Sequence, residues 1–282
     1  NAKGIVKREV VDVVTPGTLI SDKALNDKSN RFIASMSVSK NRFGISFLDS
    51  STGEFFVGEC LSPELKNMFL RFSPREVVIS EKTVYSNANW YVHFKPFVTQ
   101  IQNNFFQYEY AYKTIIKHFR IKSLKGFGCE KFNEGVIAAG ALINHIKINL
   151  SSSIDHTSKL IPIRQDDAMG IDSFSIKNLE VFQSLSAQGT YGTLLDCMDI
   201  TKTAGGGRLL RKNLISPMKN KRKIDERLST IDQFTKERTI LQSIRDSLLK
   251  NADLERILGK INKGKVTPRD IILMGKVLGK IP

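Results

Sequence analysis

The sequence predicts two folding units in series, an α/β module followed by an all-α module. Three observations predict this. To about residue 80, apolar residues come in short runs separated by turn-forming residues, as strands do. From about residue 105 the apolar period becomes helical and stays helical. The 282 residues suffice for two domains that each bury a core.

In the first regime, residues 32–38 form an apolar run closed by the polar tetrad Ser39-Lys40-Asn41-Arg42. A second run covers 43–48, Asp49-Ser50-Ser51-Thr52-Gly53 supplies turn chemistry, and 54–60 is a third run. Short strands with tight connections read as an antiparallel meander. Ser62-Pro63-Glu64 then reads as an N-cap, a proline at the first helical position and an acid in the first turn. That helix runs to about Phe72, and Glu76-Val77-Val78-Ile79 returns as a buried strand. Strand, strand, strand, helix, strand is the order of a ribonuclease H-like mixed sheet.

The helical regime opens with a helix over 108–119, broken at Lys125-Gly126-Phe127-Gly128. A second helix covers 133–150, with Val136, Ala139, Gly140, Ile143 and Ile146 on one face. Its small residues, Ala138 to Ala141, allow a neighbouring element to approach closely. Ser151-Ser152-Ser153 marks the boundary, dividing the chain into modules 1–155 and 156–282. Beyond it, a helix over 173–185 directs Phe174, Leu179 and Phe182 inward. Ile224, Leu228, Ile231 and Phe234 form an amphipathic stripe. Helices over 253–261 and 268–279 complete the set, the last capped by Thr267.

Composition is that of an ordinary globular protein, 41% hydrophobic and 25% charged. No apolar run approaches the ~20 residues of a membrane helix, and no signal peptide is visible. The chain opens at Asn1-Ala2 without a methionine, as an excised piece would. Cys60, Cys129 and Cys197 are isolated thiols without metal spacing, which suggests a reducing compartment. His93, His118, His145 and His156 show no ligand spacing either, so no metal site is expected. The net charge of +15 favours an acidic partner such as nucleic acid. Its one dense cluster is Lys219, Lys221, Arg222 and Lys223, the candidate nucleic-acid contact; the opposing reading is a solvated helix face.

Four patterns imitate chemistry. Gly259 to Lys265 nearly spells a phosphate-binding loop, but Val266 stands where serine or threonine would hold magnesium, and no strand precedes it. It reads as a loop between helices. Gly205-Gly206-Gly207-Arg208 reads as the tight start of a helix over 208–214. A nuclease on a ribonuclease H-like sheet needs clustered carboxylates near the first strand. Residues 31–40 contain no acid, and Asp49, Glu54 and Glu59 bracket a turn without converging. Phe105, Phe106, Tyr108, Tyr110 and Tyr112 could stack on bases, yet Tyr108, Tyr112 and Phe119 share a face at core-like spacing.

Several stretches resemble the MutS mismatch-repair family. Arg8 to Thr18, ending Thr15-Pro16-Gly17-Thr18, resembles the entry to the family's connector domain. Leu48-Asp49 with Ser51-Thr52-Gly53-Glu54-Phe55 resembles its hairpin, and Leu124 to Gly128 with Ala138-Ala139-Gly140 its later helices. The block from Met169 to Pro217, two helices joined by a polar Gly/Ser hinge, resembles the start of the core domain. Asp253-Leu254-Glu255-Arg256-Ile257 with Pro268-Arg269-Asp270 resembles the path from core into lever. Gly205 stands where the family often has Met, and Asn213 where it often has Trp.

The resemblance implies a segment made of the connector and the first part of the core. The family's mismatch-reading Phe-x-Glu motif is expected before the stretch that these residues resemble, and its Walker-motif ATPase beyond it. It follows that the segment is no enzyme, holds no cofactor, and acts as a structural relay and partner module. ATP and magnesium belong to the parent, as does mismatched DNA. A MutL-type partner is expected on the connector, a homodimer for the parent, no membrane, and a bacterial cytoplasmic location, nucleoid-associated when on DNA. The alternatives are a ribonuclease H-like nucleic-acid-processing enzyme and a weak, sequence-independent DNA-binding module.

Overall fold

The computed structural model describes residues 15–17, 27–40, 42–84, 88–149, 154–164, 168–186, 189–249 and 251–279. Strands β1 (Phe32–Ser39), β2 (Arg42–Asp49) and β3 (Glu54–Leu61) form the expected meander, each pair antiparallel. Helix α1 (Ser62–Phe72) leads to β4 (Glu76–Ser80), which lies parallel to β1. After α2 (Asn89–Phe94), β5 (Phe97–Ile101) adds parallel to β4. Strand β6 (Ile161–Pro162) closes the other edge, parallel to β3. The spatial order β5-β4-β1-β2-β3-β6 holds the ribonuclease H-like mixed sheet at its centre. The cap of α1 lies one residue earlier than its chemistry suggests. Leu61 is the cap residue, and its N–H donates to the Glu64 carboxylate at 2.9 Å.

Alternation along the strands divides the core in two. Phe32, Ala34, Met36, Ile45 and Phe47 face α1 and α2, where Phe47 stacks on Phe72 with ring centroids 4.1 Å apart. Ile33, Leu48, Phe55, Val57 and Val78 face α3 (Tyr108–Phe119) and α4 (Asn133–Asn149). The small residues of α4 work as expected, Gly140 lying directly against Ala111 of α3. Leu160 and Ile163 join these two cores from the far side of the serine run. Ser151, Ser152 and Ser153 lie outside the described residues.

At the start of β4, Glu76 is wholly buried. Thr99 Oγ1 donates to its Oε1 at 2.7 Å, and His145 Nε2 lies 3.1 Å from the same oxygen. Burial pushes this carboxyl up, but the hydrogen bonds from His145, Thr15 and Thr99 outweigh it and hold the group below the usual range. Thr15-Pro16-Gly17 thus enters the fold as a seat beside Glu76. The rest of that motif, Arg8 to Val14 and Thr18, lies outside the described residues.

Both ring nitrogens of His118 are buried without a hydrogen-bond partner. Burial, then Lys147 and His156, push its imidazole down from 6.5 to about 4, while Asp155 opposes them. The folded state therefore resists a proton that the unfolded state accepts. Its contribution is complete above pH 6.5 and is lost as the pH falls towards 4. His118→Leu should remove about 1–2 kcal/mol of the stability lost between about pH 7 and pH 5, allowing for partial exposure. Urea unfolding of both proteins at the two pH values measures it.

The second module consists of α5 (Ser173–Asn178), α6 (Leu194–Met198), α7 (Ala204–Ile215), α8 (Lys221–Lys236), α9 (Arg238–Leu249), α10 (Leu254–Asn262) and α11 (Pro268–Leu278). One sequence expectation fails here. The helix over 173–185 stops at Asn178, and Glu180 takes a left-handed φ of 46°. Phe174 and Leu179 are then 74% and 68% exposed, and Ile176 and Val181 are buried instead. Two turns are too few to carry the apolar period through residue 185.

Candidate coupling joint between the two modules

The two modules meet through polar groups. On the α/β side the joint uses residues 27–31 and the β2–β3 turn. Asp49 organises both, being fully buried and bonded in four directions. Its Oδ1 accepts from the Ser51 N–H (2.9 Å) and hydroxyl (2.6 Å), and its Oδ2 from Arg31 N–H (3.1 Å) and Asn30 Nδ2 (2.9 Å). Gly53 closes the turn at φ 79°, in the left-handed region that favours glycine. The turn is therefore shaped before it meets the second module.

On the helical side the joint is built from α7 and α10. Asp253 caps α10 and takes Arg208 of α7 in a bidentate pair at 2.5 and 3.2 Å. Arg208 also donates to Glu255 at 2.6 Å. Burial disfavours its charge, but Asp253 and Glu255 more than restore it and raise the group above its ordinary range. Arg256, 2% exposed, crosses to the first module, donating to the carbonyls of Asp27 at 2.8 Å and Ser29 at 2.6 Å. Just past the end of α10, Lys263 donates to Ser50 Oγ at 2.9 Å. His156 Nε2 lies 3.1 Å from the Ser50 carbonyl, which can only accept, so Nε2 carries the proton. Burial, then Lys263, push that imidazole below its ordinary value, against the opposing hydrogen bond to Ser50 and the charges of Asp49 and Asp155.

Gly259 allows this approach. A Cβ there would stand 2.4 Å from the Ser51 carbonyl oxygen, so α10 rests on the turn backbone to backbone. Lys28 continues the seam, its Nζ donating to Asp199 Oδ1 at 2.9 Å and to the Thr201 carbonyl at 3.1 Å. Lys212 lies 3.6 Å from Glu54 and 4.9 Å from the centre of the Phe56 ring. Inside the helical module, Lys260 and Asp270 form a buried pair at 3.1 Å, tying α10 to α11.

These interactions correct two sequence readings. The glycine triplet does not precede its helix. Helix α7 starts at Ala204, with Thr203 Oγ1 accepting from Gly206 N–H, so all three glycines are helical. The Lys28 side chain packs where a Gly207 Cβ would stand, at 2.6 Å. Nor do Asp49 and Glu54 merely bracket a turn: both accept from the Asn30 amide at 2.9 Å. They sit opposite each other across β2 and β3. The Asn30 amide already bridges them, and among the described residues no group of acids, cysteines and histidines is arranged to hold a metal. Glu59 points elsewhere, accepting from the Glu134 N–H at 2.7 Å.

The near-phosphate-loop is a helix end. Gly259 lies within α10, and Gly264 follows its last turn at φ 63°. Tyr108 and Tyr112 stack 5.9 Å apart against the core, while the exposed Tyr110 donates to Asn144 at 3.2 Å. The side chain of His93 lies outside the described residues.

Lys219, Lys221, Arg222 and Lys223 are exposed at the start of α8. Lys221 pairs with Asp225 at 2.5 Å and Arg222 with Glu226 at 3.5 Å, both one helical turn away. None of the four takes part in the joint. Sequence reasoning singled out these solvent-facing charges and missed the buried ones, Arg208, Arg256 and Lys263. Only Arg256 left a trace in the sequence, as a charge directly before Ile257 in a helix whose apolar period points inward.

Comparison with known proteins accounts for this division. Residues 31–158 match the family model MutS domain II, and residues 175–282 match MutS domain III. The chain is 34% identical to the DNA mismatch repair protein MutS of Salinibacter ruber over 99% of its own length and 31% of that protein's. It is 35% identical to that of Flavobacterium johnsoniae, covering 99% and 32%, and 34% identical to that of Halothermothrix orenii, covering 100% and 32%. It thus spans about a third of the length of these relatives. Among the described residues no helix is long and apolar enough to cross a membrane. The two consecutive matches fall on the two modules on either side of the joint, and the chain belongs to the MutS family of DNA mismatch repair proteins, as a segment made of its domains II and III.

Proposed function

We propose that this segment is a relay. In a mismatch-repair parent it transmits the state of an ATPase to a mismatch reader through the joint, without doing chemistry itself. The supporting observation is Arg256, which joins the modules through two backbone carbonyls. Hydrogen bonds of that kind depend steeply on distance and angle, so a small rotation breaks them together. We assign residues 1–155 to the α/β module and 156–282 to the helical one, with Ile161–Pro162 returning to the sheet edge. ATP and magnesium are held elsewhere in the parent, a homodimer of the bacterial cytoplasm, and a MutL-type partner docks on the α/β module.

Lys219, Lys221, Arg222 and Lys223 are our candidate contact to the DNA backbone. Surface pairs such as Lys221–Asp225 are weak enough to yield to phosphates. A titration of the chain with matched and mismatched duplex at several salt concentrations tests both parts. Equal affinity for the two duplexes is expected. Replacing all four residues by Gln should flatten the log–log salt slope by about 0.9 for each phosphate no longer neutralised. A preference of about tenfold or more for the mismatch contradicts the relay reading, and an unchanged slope removes the four residues from the DNA interface.

A further inference from the structure

Beside the joint lies a cleft of about 340 Å³ that the joint itself does not fill. The end of α1 and the following turn contribute Arg71 and Arg75 to its lining, and α7 contributes Arg211 and Lys212. Phe72 and Phe182 add apolar surface. The volume is at the small end of the range for ligand clefts, too small for a duplex.

Its charge is unbalanced. Arg208 reaches the cleft but is neutralised by Asp253 and Glu255. Lys212 faces Glu54, the one acid among the described residues that line the cleft. Arg71 lies over the Phe72 ring at 5.2 Å. Neither Arg75 nor Arg211 has an ion pair with any described residue. Arg211 lies 4.8 Å over the Phe182 ring, and its Nε is buried without a hydrogen-bond partner. A guanidinium partly withdrawn from water and left unpaired is costly, and among the described lining residues Lys212 already engages Glu54. Burial lowers its affinity for its proton for the same reason, with Asp27 and Asp199 only opposing the effect from a distance.

We infer that this cleft binds a small phosphate-bearing ligand, held by Arg75 from the α/β module and by Arg211 from the helical module. The planar forks of arginine suit phosphate oxygens, and a phosphate offers several acceptors and up to two charges to these cations. A peptide carboxylate offers one charge and two oxygens. Phe72 and Phe182 then border the carbon part of a phosphate ester. Because its cations come from both modules, an occupied cleft strengthens the same junction that Arg256 holds.

Isothermal titration of the 282-residue chain at low salt tests this, with inorganic phosphate and adenosine monophosphate as probes. Saturable one-site binding is expected, weakened about tenfold or more by Arg211→Gln and by Arg75→Gln. Arg75 is exposed, so its replacement leaves folding intact. Arg227→Gln/Lys236→Gln, on the exposed surface of α8, should leave binding unchanged. Tighter binding of adenosine monophosphate identifies an ester and equal binding identifies free phosphate; both sustain the site. Absence of saturable binding by either probe overturns it. So does binding insensitive to both arginine variants, or weakened equally by the α8 control.

Discussion

Arg256→Met should cost the chain about 3 kcal/mol and separate its melting into two transitions. Methionine keeps much of the apolar stem and removes both donors. The carbonyls of Asp27 and Ser29 then lose charge-assisted hydrogen bonds, each worth about 1.5–3 kcal/mol. Asp253 retains Arg208, so the helical module keeps its internal pair while its link to the sheet weakens. Gly259→Ala should act in the same direction. Its methyl meets the Ser51 carbonyl, part of a turn already fixed by Asp49, so neither side can yield cheaply. Calorimetry with circular dichroism checks both variants. A uniform drop of one transition would mean that the modules share a single cooperative core.

Gly44→Ala should be the most damaging small substitution in the α/β module. Gly44 lies in β2, where α4 begins. An added Cβ would stand 1.9 Å from the Glu134 carbonyl carbon and 2.0 Å from its oxygen. Both are backbone atoms, so relief requires α4 to lift from the sheet. That helix carries Val136, Ala139, Leu142, Ile143 and Ile146, all wholly buried. Overpacking of this kind costs about 1–3 kcal/mol, and a backbone clash falls at or above the upper end. Glu134 is also tied down twice: its N–H donates to Glu59, and its carboxylate accepts from Ser37. Guanidinium unfolding measures the loss. A change under about 1 kcal/mol would mean that α4 can move without cost.

The α/β module was legible because its signals are local. Strands β1 to β3 and helix α3 follow the sequence reading within a residue, since alternation, turn chemistry and a clean helical face each declare themselves in a few positions. The helical module was less so. Helix α5 ends early because Glu180 turns left-handed, which no apolar period announces. Leu228 and Ile231 of α8 form the expected stripe but remain more than half exposed, because periodicity states which face is apolar and not what covers it. The joint was least legible. Asp49 reads as an ordinary turn residue, and only the arrival of α10 explains why Ser50, Ser51 and Gly53 follow it. Arg208, Arg256 and Lys263 were hidden by the usual expectation that charges face water. Gly44 carried a readable hint, since a glycine inside a strand often marks a close backbone approach.

If a change elsewhere in the parent reaches the sheet through the polar joint, the joint's own amides must register it. Hydrogen exchange of a full-length family member carrying this segment, with and without nucleotide, tests that most directly. The amides of Ser29, held by Asp27, and of Arg31, Ser51, Thr52 and Gly53, held by Asp49, are the reporters. Nucleotide is expected to change their protection while the buried core of α4 stays constant, and Arg256→Met is expected to abolish the change. Joint amides indifferent to nucleotide, or responding equally in the Arg256→Met protein, would contradict the relay.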